Sequence, residues 1–235
     1  MLVLSGLLSF LICVGSISAH AKVVKLATFP IPLMVESESK GLFIDLTKEI
    51  AKRSQLEVQI AVYPTSRTLL DFSTDKVEAF FPALEVYMPK KAARTIPFYT
   101  KVDFVFSKKG RKLYSLKDLE GKKVGLTFRY PYAKELTANK KIEFEFAPDD
   151  VTNMKKLSQG LIDAFVVEER SGLQALLLSG QKDIQYNKKI PLSKQEVFYA
   201  FQDNEEGRSL ADSFSRAIEA MKKDGSFDRV MTPVQ

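Results

Sequence analysis

The chain has 235 residues, with 35 Lys and Arg against 29 Asp and Glu and a formal charge of +6. Its single Cys and single His, Cys13 and His20, both lie in an apolar leader. The chain beyond that leader therefore has no thiol nucleophile, no imidazole base, no usual zinc ligand and no means of forming a disulfide. The small, dispersed positive surplus reads as a solvated lysine-rich surface and not as a nucleic-acid footprint, and no cofactor or metal motif stands out.

Residues 2–17 are almost wholly apolar and carry no charge; Ser18, Ala19, His20 and Ala21 come next, and charged residues begin at Lys22. Ala19-x-Ala21 is the small-residue pair that signal peptidase accepts, so residues 1–21 read as a secretory signal peptide and the remainder as an exported, periplasmic chain. The leader has no basic residue before its apolar run, which is atypical, and it is too short for a good membrane span. No later apolar run reaches the length of a membrane span, so the exported chain is expected to be soluble.

Beyond the leader, apolar runs of strand length alternate with amphipathic stretches. Strands are expected over 23–29, 56–63, 77–83, 102–107, 123–128, 141–146, 162–167 and 195–201. Helices are expected over 43–55, 66–73, 131–138, 151–157, 172–178 and 207–223. The last carries Leu210, Phe214, Ile218 and Met221 down one side and stops at Gly225. Ser115-x-x-Asp118 is a capping-box spacing for a further short helix. Strand–helix alternation predicts an α/β fold of parallel, right-handed units with both sheet faces covered. So many strands in a chain of this size fit two small sheets better than one. The expected arrangement is two β/α lobes joined by a two-strand hinge. Residues 22–106 and 199–235 form the first, discontinuous lobe, and residues 107–198 form the inserted second lobe. Segments 102–106 and 197–201 are expected to cross between them.

Ligands of open parallel sheets bind at the carboxyl ends of strands, where helix N-termini offer free N–H groups. That rule selects five loops: 29–34, 64–67, 82–87, 127–130 and 168–171. The first three belong to one lobe and the last two to the other, so a cleft between lobes would bring them face to face. Arg67 and Arg129 are able to pair bidentately with a carboxylate, and Glu168 to accept from an ammonium. Phe29, Phe81, Tyr87, Phe128 and Tyr130 are candidate walls, with Pro82 and Thr127 beside them. Each has a plainer reading: Phe81 as core, Arg129 as surface, Arg67 as the i,i+4 partner of Asp71.

Six segments, in this order, resemble the family 3 extracellular solute-binding proteins, which serve ATP-driven importers of polar amino acids and related solutes. GLFIDLTKEIA from Gly41 looks like the family's opening helix, and DKVEA from Asp75 stands where the family has G-K-V-D-A. PFYT from Pro97 resembles its P-Y-Y-T, and LKDLEGKKVG from Leu116 its L-x-D-L-x-G-K-K-V-G. LSQGLIDA from Leu157 and MKKDGSF from Met221 match two further motifs. The resemblance implies a periplasmic binding protein-like fold, a monomer with a solute held in the cleft, and a partner ABC permease in the inner membrane. It also implies an acidic residue for the ligand's α-ammonium after the D-A-hydrophobic strand, a position that Glu168 occupies. The family's carboxylate-binding Arg is missing: Lys91 stands nearest, Arg94 is offset from it, and Arg67 sits where a divergent branch has an Arg. Lys and Arg do not recognise a carboxylate equivalently.

The expected function is capture of a small polar solute, an amino acid or a related compound, and its delivery to an ABC importer, without catalysis. Two alternatives share the fold. One is an enzyme similar to the cyclohexadienyl dehydratases, using Glu168 with Arg67 or Arg129. The other is a ligand-sensing module for a separate partner. Ser37-x-x-Lys40 has the spacing of a Ser-Lys hydrolase but lies in a polar loop.

Overall fold

The computed structural model describes residues 23–232; the expected signal peptide, residues 1–21, lies outside them. The first sheet gathers β1 (Val23–Thr28), β2 (Glu57–Val62), β3 (Ala79–Ala83) and the short β4 (Ala92–Arg94), with helices α1 (Leu42–Arg53) and α2 (Thr65–Ser73) between its first strands. The chain then enters β5 (Tyr99–Lys108) and builds α3 (Leu116–Leu119), β6 (Lys123–Thr127), α4 (Lys134–Thr137), β7 (Glu143–Ala147), α5 (Asp150–Gln159), β8 (Ala164–Glu168), α6 (Glu169–Ser179) and β9 (Ile184–Gln185). It returns along β10 (Ser193–Gln202) and closes with α7 (Glu205–Asp224) and α8 (Ser226–Met231).

The hydrogen-bonded order is β2-β1-β3-β10-β5-β8-β6-β7. β10 is the strand that both sheets share. Its first half, Ser193 to Val197, pairs antiparallel with β5 from Asp103 to Tyr99. Its second half, from Phe198, pairs antiparallel with β3 and β4, with a register shift between Phe198 and Ala200 against β3. β5 pairs antiparallel with β8, from Asp103 opposite Glu168 to Ser107 opposite Ala164. The β1–β2, β1–β3, β6–β7 and β6–β8 pairs are parallel. The all-parallel expectation is thus corrected: the outer strands are parallel, but the strands linking the sheets run against their neighbours. A direct passage between sheets needs no crossover helix, so antiparallel pairing is open to it.

Each sheet buries both faces. In the first, Ile44, Leu46, Ile50, Phe81, Tyr199, Phe214, Ile218 and Met221 pack on the side of α1 and α7, while Phe72, Phe80 and Phe198 pack under α2. In the second, Phe106, Met154, Leu157 and Phe165 cluster on one face and Val105, Leu119, Val124 and Leu126 on the other. Local chemistry sets the ends. Ser115 and Asp118 form a reciprocal capping box, Asp149 caps α5 through Thr152 N–H, and Asn204 caps α7 through Gly207 N–H. Each satisfies a backbone donor left free at a helix start. The helix expected over 131–138 is shorter, because Tyr132 Oη accepts Thr127 N–H at 2.7 Å and Gln195 Nε2 donates to Pro131 O at 3.2 Å. These bonds hold the chain off the helical path until Lys134. α6 and α8 are tied across the two sheets by Arg170 Nη1, which donates to Met231 O at 2.9 Å.

The turn from β10 into α7 brings backbone against backbone at Gly207, where an added Cβ would lie 1.9 Å from Gln202 O. Gly207→Ala should therefore cost about 1–3 kcal/mol, as overpacking does. Urea unfolding would show it as a lower midpoint with an unchanged slope, and an unchanged midpoint would refute the clash.

Candidate functional site

A cavity of about 240 Å³ lies between the lobes at the carboxyl ends of the strands. All five loops selected by the strand-end rule reach it. The first lobe contributes Phe29, Pro30, Ile31 and Met34 after β1, Pro64 and Thr65 after β2, and Pro82, Leu84 and Tyr87 at the end of β3 and beyond, with Phe43 behind them. The second contributes Phe128, Arg129, Tyr130 and Pro131 after β6, Glu168 at the end of β8 and Ser171 beyond it. Tyr99, Lys101 and Val197 on the linking strands complete it. Aromatic rings and prolines make up most of the wall, and the ionisable groups besides the tyrosines are Lys101, Arg129 and Glu168.

Glu168 is 8% exposed. One carboxylate oxygen accepts from Tyr99 Oη at 2.6 Å and the other from Ser171 N–H at 2.9 Å, which caps α6. Both donors are neutral, and none of the ion pairs among the described residues involves Glu168. Burial and the adjacent Glu168 charge push the Tyr99 phenol far above its ordinary range, so Tyr99 remains a donor. Lys101 forms a buried ion pair with Asp103 on the same strand face, and Asp103 also accepts from Ser193 Oγ at 2.9 Å. The Lys101 charge is thus answered inside the protein. Arg129 has φ of 64°, is exposed, and has no ion-pair partner among the described residues. Tyr87 donates to the Pro82 carbonyl, and burial raises its phenol well beyond the usual value.

Of the residues named from the sequence, Phe29, Pro82, Tyr87, Phe128, Arg129, Tyr130 and Glu168 line the cavity; Arg67, Phe81, Lys91, Arg94 and Thr127 do not. Arg67 lies 3.9 Å over the Tyr63 ring and pairs with Asp71 at 3.4 Å. Lys91 is held by Asp203 at 3.1 Å on the outside of the molecule, and Arg94 pairs with Glu85 and lies over Phe198. Phe81 is wholly buried core on the α1 side. Thr127 lies beneath the wall, donating to Asp150 and accepting from Asn153. Arg67 thus does not share the cavity lining with Glu168; it lies beside Asp71 and the Tyr63 ring. Sequence reasoning missed Lys101. Its one signal is Lys101-x-Asp103, two opposite charges on the same face of an otherwise apolar strand.

Behind Tyr130, Asp150 is 5% exposed. Burial pushes its carboxyl up to about 6, against the downward pull of hydrogen bonds from Thr127 and Tyr130 and with a further push from the Asp149 and Glu168 charges. A carboxyl that holds its proton more tightly when folded makes the folded state less stable as pH rises from near 3.8 to about 6, and level above that. Asp150→Asn removes this dependence. The variant's unfolding free energy relative to wild type should rise by about 2 kcal/mol between pH 4 and pH 7. Chemical denaturation across that range measures it, and a difference that stays constant with pH would refute it.

No family model matches the sequence. A Vibrio harveyi protein named "Putative amino-acid ABC transporter-binding protein PatH" is 21% identical over 93% of this chain and 93% of its own. Among solved structures, the ligand-binding core of GluR0 from Nostoc punctiforme, in complex with L-glutamate, superposes with a TM-score of 0.73 at 21% identity, covering 88% of this chain and 96% of that one. An ancestral arginine-binding protein bound to arginine gives 0.68 at 20% identity, with 88% and 96% covered. A histidine kinase sensor domain similar to periplasmic binding proteins gives 0.72 at 17%, with 89% and 94% covered. The chain carries the two-lobed periplasmic binding protein fold, and across nearly its whole length it resembles the family 3 extracellular solute-binding proteins.

Proposed function

We propose that this protein is a periplasmic solute-binding protein that captures a small polar solute, an amino acid or a related amine, between its lobes and delivers it to an ABC importer. The observation that carries this reading is the buried Glu168 carboxylate, which faces an inter-lobe cavity with neutral hydrogen-bond donors and no cation of its own. A solute touching both walls favours the closed arrangement over the open one, so binding shifts the population toward closure. The hinge falls where β10 changes partners, between Val197 and Phe198, and where the outward chain enters β5 at Tyr99. The named relative is a transporter-binding protein, which supports a role in binding and not in turnover. The signal-like leader supports export.

A cognate solute at a hundred times its Kd should raise the unfolding free energy by about 2.7 kcal/mol. Thermal shift against amino acids, organic acids and amines is the test, and a broad panel that leaves the melting temperature unmoved would end the proposal. Because Arg67 and Lys91 are engaged outside the cavity, Arg67→Ala and Lys91→Ala should each change the binding free energy by less than about 0.5 kcal/mol. Isothermal titration calorimetry checks this, and a tenfold loss in either would return that residue to the site.

A further inference from the structure

We infer that the ligand is a monocationic amine with a bulky apolar body, anchored through its ammonium, and that a carboxylate on it contributes little. This rests on the solute-binding reading above and narrows it. Charge is divided unevenly around the cavity. The first-lobe wall, built around Phe29, Met34, Phe43, Pro82 and Leu84, carries no charged side chain. The three first-lobe cations that the sequence offered for a carboxylate do not line the cavity: Arg67 lies beside Asp71, Lys91 beside Asp203 and Arg94 beside Glu85. An anionic group pressed against that wall would meet no charged side chain, only the backbone N–H groups at the uncapped start of α2.

The linking strands and second lobe hold the cavity's charges, in three different states. Lys101 is neutralised by Asp103 within the protein. Arg129 is exposed at the rim, where an ion pair to a ligand is worth a factor of about five or less. Glu168 is more than nine-tenths buried and lacks a cationic partner. Among the three it is the charge whose burial a ligand would most relieve, and an ammonium is the group that relieves it. The rings of Phe128 and Tyr130 stand with it in the lining, and their faces favour a cation; the Tyr99 ring already has the Arg170 guanidinium over it at 5.9 Å. The ammonium thus belongs at the second lobe and the apolar body against the first.

Calorimetry on the intact wild-type protein separates the possibilities with four probes: 2-phenylethylamine, L-phenylalanine, 2-phenylethanol and L-glutamate. The amine and L-phenylalanine should bind within about fivefold of each other, the carboxylate being worth no more than a rim pair. Loss of the ammonium in 2-phenylethanol, and the added buried carboxylate of L-glutamate, should each weaken binding by at least about 30-fold. Glu168→Gln should weaken the amine by a similar factor while leaving 2-phenylethanol unchanged, with circular dichroism confirming the fold. Should that variant not fold, the alcohol–amine comparison in wild type decides alone. Tighter binding of L-glutamate than of the amine would overturn the inference while leaving a solute-binding protein. Equal binding of alcohol and amine would overturn the anchoring role of Glu168. Failure of the amine and L-phenylalanine to bind at all would overturn the inference too, and the broad panel then separately decides whether the protein binds solutes.

Discussion

Passage of the chain between two sheets, out into β5 at Tyr99 and back through the middle of β10, is the constraint on which the rest of the molecule depends. Because β10 pairs with β5 along its first half and with β3 along its second, both sheets are oriented by one strand. Their parallel strands then end at a common gap, and the loops at those ends become the two walls of a cavity. The same strands supply Tyr99, Lys101 and Val197 to the floor. The strands that join the lobes are therefore also part of the cavity wall.

Most of the architecture was legible in the sequence because it is written in local terms. The alternation of apolar runs, the Ser115–Asp118 capping pair and the glycine after the last long helix each specify an element from within a few residues. The strand-end rule then found every loop of the cavity without any side-chain geometry. Long charged side chains were another matter. Arg67, Lys91 and Arg94 all looked available, and each turned out to have an acid within reach: Asp71 on the same helix, Glu85 nearby, or Asp203 from the far end of the chain. Which of several acids a flexible cation meets depends on tertiary proximity that one sequence does not display. Lys101 was hidden for the opposite reason, since a lysine in a strand ordinarily faces solvent. Here Asp103, two residues on, permits its burial.

A family pattern that holds a carboxylate with a first-lobe Arg needs that guanidinium to face the cleft. In this chain the corresponding wall is apolar, yet the acid after β8 remains, braced by Tyr99 and by the first turn of α6. On the proposed function, an acid kept and a first-lobe Arg absent would change what is recognised without disturbing either sheet, because neither Lys91 nor Arg94 is part of a core cluster.

The bond from Arg170 to the Met231 carbonyl joins the lobes away from β5 and β10. Any rotation of one lobe against the other must either carry that bond along or break it. A hydrogen bond of this kind contributes a net ~0.5–1.5 kcal/mol, somewhat more with a charged donor. A neutral bond of that size weights two arrangements roughly two- to tenfold, and a charged donor raises the factor further. The guanidinium would act as a detent, a notch that weights whichever arrangement of the lobes contains the bond.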